Sequence, residues 1–183
     1  MMKRILLFIL ALSALTGCSK EDDPISRRYP CRFYFYHELH PTSVIMSAYR
    51  SAGMYVYVYT QVDQTGVRYV YAKSNRKDDI VEANAITTAI EKGVPYTLGA
   101  NNSIGLIIGR TNFNGPTAFD RTCPNCTTNQ ELTWNESNRQ QVECKNCGRI
   151  YDLETGSITS GADGSVLLRY AVTIDDRRLM VGN

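Results

Sequence analysis

The chain has 183 residues, 43% of them hydrophobic and 21% charged, with 20 Lys and Arg against 18 Asp and Glu. This balance, with no visible Lys/Arg cluster, excludes the electrostatic footprint of a nucleic-acid-binding protein. The length suits one compact domain with a sizeable core.

The first elements along the chain concern export. "MMKRILLFILALSALTGC" places Lys3 and Arg4 before an apolar run from Ile5 to Leu12, the pattern of a secretory signal peptide, and the run is short for a membrane span. Its end, "LTGC", resembles the bacterial lipobox, in which the cysteine becomes the first mature residue and carries the lipid; that residue here is Cys18. Buried acyl chains contribute about 0.8 kcal/mol per methylene, so lipidation implies a domain anchored to a membrane without crossing it. "SKEDDP" follows, and its acidic Glu21, Asp22 and Asp23 resemble the surface-export signal of lipoproteins from Bacteroides-type bacteria. Otherwise it is a charged, solvated tether. Together these imply residues 1–17 as signal, 18–30 as lipidated tether, and an outer-membrane, cell-surface location. Removing residues 1–17 takes Lys3 and Arg4 and no acid, leaving 18 basic and 18 acidic residues in the mature chain.

Residues 31–73 hold many of the 12 tyrosines in short runs that alternate with period two, the mark of strands. In "MYVYVYTQV" Tyr55, Tyr57 and Tyr59 share one face, while Val56 and Val58 share the other. With "RYVYAK" and the intervening "DQTG", residues 54–73 read as a hairpin. The tyrosine ladder fits a sheet face packed on its neighbours, or a platform for stacking carbohydrate. Cys31 shares parity with Phe33 and Phe35, as a buried thiol would. Residues 78–92 are ambiguous: Ile80, Ala83, Thr87 and Ile90 approximate helical spacing, yet β-branched residues crowd the segment. "GLIIGRT" reads as a strand, and "SVLLRYAVTIDDRRLMVG" as strand, turn at Asp175-Asp176 and return strand.

Four of the six cysteines form the pattern Cys-x2-Cys-x17-Cys-x2-Cys at Cys123, Cys126, Cys144 and Cys147. This spacing suits a four-thiolate site, because each Cys-x-x-Cys turn presents two sulfurs on one side of a tight loop and two such loops complete a tetrahedron. Pro124 stiffens the first turn, and Gly148 tolerates positive φ after the second. Zinc, iron and disulfides all remain open, since exported proteins favour disulfides unless the thiols are occupied.

The flanks are more specific. "AFDRTCPNC" and "CKNCGRIYDLETGS" resemble the two cluster-binding loops of Rieske iron-sulfur proteins, which carry Cys-x-His and then Cys-x-x-His, followed by Gly, an aromatic, Asp, an aliphatic residue and a Thr-Gly turn. Here Ala118, Phe119 and Asp120 lead into Cys123, and Gly148, Tyr151, Asp152, Leu153, Thr155 and Gly156 follow Cys147. The resemblance, strong over residues 95–183, implies an all-β, Rieske-like architecture over 31–183: antiparallel sheets with a small two-loop metal-binding subdomain at about 118–157.

The ligands depart from the family. Asn125 stands where the first histidine belongs, Cys147 replaces the second, and Cys126 lies one residue beyond the lost histidine. His37 and His40 are remote in sequence, so a centre with two imidazoles on one iron is not expected. What remains is an all-thiolate site for zinc, for mononuclear iron or for a two-iron (2Fe-2S) cluster, whose potential would be low without imidazole. The residues carry no catalytic triad, phosphate loop or paired-carboxylate motif. They specify no protein or glycan partner beyond the membrane.

Overall fold

The computed structural model describes residues 24–76 and 81–183. The expected signal segment, Cys18 and the tether as far as residue 23 lie outside the described residues. Among the described residues, thirteen strands in two antiparallel sheets, with two short helices, make the fold all-β.

Strand β1 (Cys31–Phe35) buries Cys31, Phe33 and Phe35 on one face, as their parity requires. Helix α1 (Val44–Arg50) interrupts the expected run of strands. Its apolar Ile45, Met46 and Ala48 are buried, Ser43 caps it, and the Glu82 carboxylate accepts from the Ser43 hydroxyl (2.5 Å) and the Val44 amide (2.7 Å). Seven residues are too few to hold a helix alone, so the buried face and caps decide it. The predicted hairpin forms as β2 (Met54–Val62) and β3 (Arg68–Ser74), with Tyr59 opposite Tyr71.

The ambiguous segment resolves into both alternatives: β4 (Val81–Ile86) pairs with β3, and a one-turn helix α2 (Ala89–Lys92) follows. Thr88 and Glu91 close a reciprocal capping box there. β5 (Thr97–Leu98), β6 (Leu106–Arg110) and β7 (Pro116–Asp120) come next, and β12 (Arg169–Ile174) and β13 (Leu179–Gly182) form the closing hairpin. These build a nine-stranded sheet in the order β4-β3-β2-β6-β7-β12-β13-β1-β5. Phe33, Val56, Val70, Ile86, Leu106 and Leu179, drawn from across that order, share one core, so the sheet curls around its inner face.

A second, four-stranded sheet, β11-β10-β9-β8, comprises β8 (Thr133–Trp134), β9 (Gln141–Glu143), β10 (Ile150–Asp152) and β11 (Ile158–Ser160). Leu132, Trp134, Val142, Tyr151, Leu153 and Leu167 of this lobe pack on Tyr55, Tyr57, Ile107 and Phe119 of the large sheet. The alternation in β2 thus serves two cores: Val56 and Val58 face inward, Tyr55 and Tyr57 face the lobe. β11 and Leu167 carry the lobe past residue 157, the boundary expected from the flanks of the cysteines. Among the described residues, no helix is long and apolar enough to cross a membrane.

Candidate metal centre

Both knuckles start where strands of the two sheets end. The first follows β7 directly, and the buried Asp120 carboxylate fixes its departure by accepting from the Thr122 amide (2.8 Å), the Ala100 amide (2.8 Å) and the Tyr170 hydroxyl (2.9 Å). The Cys123 amide donates to Gln130 O (2.8 Å), which closes the loop. The second knuckle joins β9 to β10. Its Cys144 amide donates to Arg149 O (2.9 Å) and the Gly148 amide donates to Cys144 O (2.8 Å). Gly148 has φ +70°, a conformation that a Cβ disfavours.

The two loops bring Cys123, Cys126, Cys144 and Cys147 together, with all four Sγ atoms within 4.8 Å of one another. The closest pairs cross between knuckles: Cys123 to Cys147 at 3.7 Å and Cys126 to Cys144 at 3.6 Å. All four are free thiols; Cys123 and Cys144 are buried, while Cys126 and Cys147 are half-buried. Such a set can hold a metal ion. A regular tetrahedron with metal–sulfur bonds of about 2.3 Å has edges of about 3.8 Å, close to the shorter separations here.

A shell of donors surrounds the sulfurs. The Asn146 side-chain amide donates to Cys126 Sγ (3.3 Å), and the Tyr151 hydroxyl lies 3.5 Å from Cys123 Sγ. The Asn125 side chain is engaged by Tyr151 and Ser165. Its Nδ2 donates to the Tyr151 hydroxyl (2.9 Å) and to Ser165 O (2.7 Å), and its Oδ1 accepts from the Ser165 amide (2.8 Å). Gly164 permits this approach, because a Cβ there would lie 2.3 Å from Asn125 Oδ1. The Arg149 guanidinium, held by Ala162 O (2.9 Å) and Asp163 O (3.0 Å), sits beside Cys147.

This shell sets the charge on the thiols. Burial pushes Cys144 up to about 12 against the pull of the Cys147 and Asn146 amides, and burial raises Cys123 despite the Tyr151 hydroxyl and Asn125 amide. Burial opposes ionisation at Cys147 too, but the Arg149 amide and guanidinium outweigh it and bring that thiol down to about 6. A cation entering the site therefore meets a thiolate at neutral pH and displaces protons from the more buried sulfurs.

The remaining sequence candidates lie elsewhere. His40 Nε2 pairs with Glu91 Oε1 (2.7 Å) and His37 Nε2 bonds to Asp175 O (3.1 Å), so neither imidazole joins the cluster. Cys31 is buried in the main core, where desolvation raises its pKa to about 12. The spacing points to the four cysteines that cluster, but not to Asn146, Arg149 and the 161–165 loop that brace them. Asn146 and Arg149 at least flank Cys147, whereas the loop has no sequence periodicity that links it to the knuckles.

Residues 2–19 match a family model described as the prokaryotic membrane lipoprotein lipid attachment site, which makes the chain a membrane-anchored lipoprotein. No curated protein and no solved structure matches the chain.

Proposed function

From a lipid-anchored, all-β protein with four converging thiols, we propose an outer-membrane, surface-exposed lipoprotein lipidated at Cys18. Its Rieske-like domain binds one zinc ion through Cys123, Cys126, Cys144 and Cys147 as a structural clamp in an accessory or binding module. The observation that carries this reading is the mutual approach of all four Sγ atoms within 4.8 Å. A single ion needs one tetrahedron of that order. A two-iron cluster instead splits its thiolates into pairs on separate irons and needs the pairs further apart. Zinc supplies a closed-shell, redox-silent cross-link between the knuckles. The Rieske-like frame is supported by Asp120 and Tyr151 beside the cysteines, and by a small sheet that carries the second loop between β9 and β10 while the first loop leads into it from β7.

The anchor suits this arrangement. Eight peptide steps separate Cys18 from Ser26, a reach of at most about 29 Å. The Ser26 amide donates to Arg169 O (2.7 Å), the Asn183 side chain donates to Ser26 O and Tyr29 O, and Arg28 donates to Pro124 O (3.4 Å). The tether thus joins the domain beside the first knuckle.

The test is metal and sulfide analysis of protein purified anaerobically. The expected result is one zinc per chain, no visible colour and no acid-labile sulfide. Stoichiometric iron would overturn it and favour a low-potential electron carrier holding mononuclear iron or a 2Fe-2S cluster. One observation favours that second reading: Cys126 and Cys147 are half-buried, which leaves a short route for an electron to the surface.

A further inference from the structure

The four thiols have an internal order that a metal site alone does not require. The two sulfur pairs in contact both cross between the knuckles, Cys123 with Cys147 at 3.7 Å and Cys126 with Cys144 at 3.6 Å. Each pair joins one half-buried sulfur to one buried sulfur, Cys147 to Cys123 and Cys126 to Cys144. The pairs also nest, with the inner partners 18 positions apart and the outer ones 24, so both links can close on one chain. A disulfide needs sulfurs about 2.05 Å apart, which leaves each pair about 1.6 Å to close.

The knuckles are held against each other by contacts that involve no metal. Asn125 Nδ2 of the first loop donates to the Tyr151 hydroxyl on β10 (2.9 Å), and the Asn146 side chain of the second loop donates to Cys126 Sγ (3.3 Å). Bonds within each knuckle would leave the two loops unlinked, whereas bonds between them keep the cross-link that an ion supplies. Exposure then divides the roles. A small oxidant reaches Cys126 and Cys147 first, while Cys144 and Cys123, 1% and 2% exposed, are shielded from thiols of other molecules.

We infer that the cluster is a peroxide-responsive switch, in which Cys126 and Cys147 are oxidised, Cys144 and Cys123 resolve them, and two cross-knuckle disulfides replace the ion. The switch rests on the four-thiolate metal reading proposed above for the ion it releases. Hydrogen peroxide is the oxidant. The half-buried thiolate attacks it, so that an S–O bond forms, the O–O bond breaks, and the leaving hydroxide takes a proton to become water. The buried partner then attacks the sulfenic sulfur: an S–S bond forms, the S–O bond breaks, and a second hydroxide leaves and is protonated. Each sulfur pair gives two electrons to one peroxide. In total, four thiolates, two peroxides and four protons yield two disulfides and four waters, and the ion departs because the thiolate, not the disulfide, is the metal ligand.

Peroxide titration of the zinc-loaded full lipoprotein in nanodiscs tests this, with released metal read by a chromogenic chelator and linkages read by mass mapping of unreduced digests. About two peroxides per chain are expected to release the zinc. The map is expected to show Cys123 linked to Cys147 and Cys126 linked to Cys144, with Cys31 still a free thiol because it is buried in the main core. Trp134 emission should stay in place because the knuckles remain joined, whereas chelation of the reduced protein removes the cross-link outright. Dithiothreitol with added zinc should reverse the change. Cys126→Ser should still form the Cys123 to Cys147 link, and Cys147→Ser the Cys126 to Cys144 link, whether or not either variant retains metal. Links within a knuckle, links between chains, or zinc retained after excess peroxide would each overturn the inference. Reduced protein that takes up no metal would instead overturn the clamp reading, and the same map on that metal-free protein would still decide the pairing.

Discussion

Stripping the metal is expected to melt the lobe while the large sheet stays folded. The two cores are separate: the main one is closed by residues of the nine-stranded sheet and α1, and the second depends on the lobe. The lobe contributes six buried apolar side chains, Leu132, Trp134, Val142, Tyr151, Leu153 and Leu167. At about 1.5 to 3 kcal/mol each they supply about 9 to 18 kcal/mol. A four-thiolate zinc contributes about 10 to 16 kcal/mol, so the metal matches the whole apolar term of the lobe. Its four strands are only two or three residues long, and the ladder hydrogen bonds cannot compensate. Trp134, the only tryptophan of the chain, reports the event directly because it is 5% exposed and stacked on Tyr57. Chelation should shift its emission to the red. Hydrogen exchange should accelerate across residues 121–167 while β2, β6 and β7 keep their protection. Cys144→Ser should do the same without chelator. Complete metal loss with unchanged emission and exchange would refute the reasoning, because the lobe would then be held by its apolar contacts alone.

Asn125→Ala removes three hydrogen bonds between the first knuckle, Tyr151 and Ser165, and should cost about 2 to 4 kcal/mol, read by calorimetry as a Tm lower by about 4 to 16 °C. Gly164→Ala should act in the same direction through its clash with Asn125, and both variants should release metal faster to a chromogenic chelator. At Glu154, burial opposes ionisation but is outweighed by the Asn112 and Phe113 amides, which hold the carboxyl below its ordinary 4.5. A depressed carboxylate stabilises fully above its unfolded value and loses that contribution as pH falls through the lower folded value. The Asn112 and Phe113 amide resonances should therefore titrate together, with a midpoint below the ordinary 4.5. Phe119→Ala should cost about 3 to 5 kcal/mol in chemical denaturation because its ring is buried against the lobe, whereas Phe113→Ser, at a side chain 89% exposed, should stay within about 0.5 kcal/mol.

The large sheet was legible wherever burial on one face imposes period two. β1, the β2–β3 hairpin and the closing hairpin follow from alternating Tyr, Phe, Val and Ile, because a one-residue slip would expose a buried set, whereas β6 declares itself as an apolar run buried on both faces. The reading failed where length is too short for a period to repeat. Helix α1 offers seven residues and α2 four; α1 depends on Glu82 contacts to Ser43 and Val44 that no local pattern announces, and α2 has only the Thr88-x-x-Glu91 capping box to mark it. The segment 78–92 reads ambiguously because Ala83, Thr87 and Ile90 approximate a helical face while β-branched residues crowd it; Ile80, the other residue of that spacing, lies outside the described residues. In the fold Ala83 and Ile90 belong to different elements, and pairing of β4 with β3 overrides the spacing.

At the thiol cluster, the four cysteines were legible and their support was not, for a related reason. Two knuckles need fixed local spacings, so Cys123, Cys126, Cys144 and Cys147 declare themselves in a single chain. Their braces come from residues 40 positions apart, Asn125 and Ser165, and no spacing rule connects these. The Asn125 amide reaches to Tyr151 and the 165 backbone and acts as a strut between them. A test follows from this: Asn125→His should weaken the lobe by breaking the strut and should not create a new ligand while Cys126 remains. Metal stoichiometry unchanged at one ion with a lowered Tm is the expected result. A gain of histidine coordination in the X-ray absorption of the bound metal would show that the residue had been positioned for ligation after all.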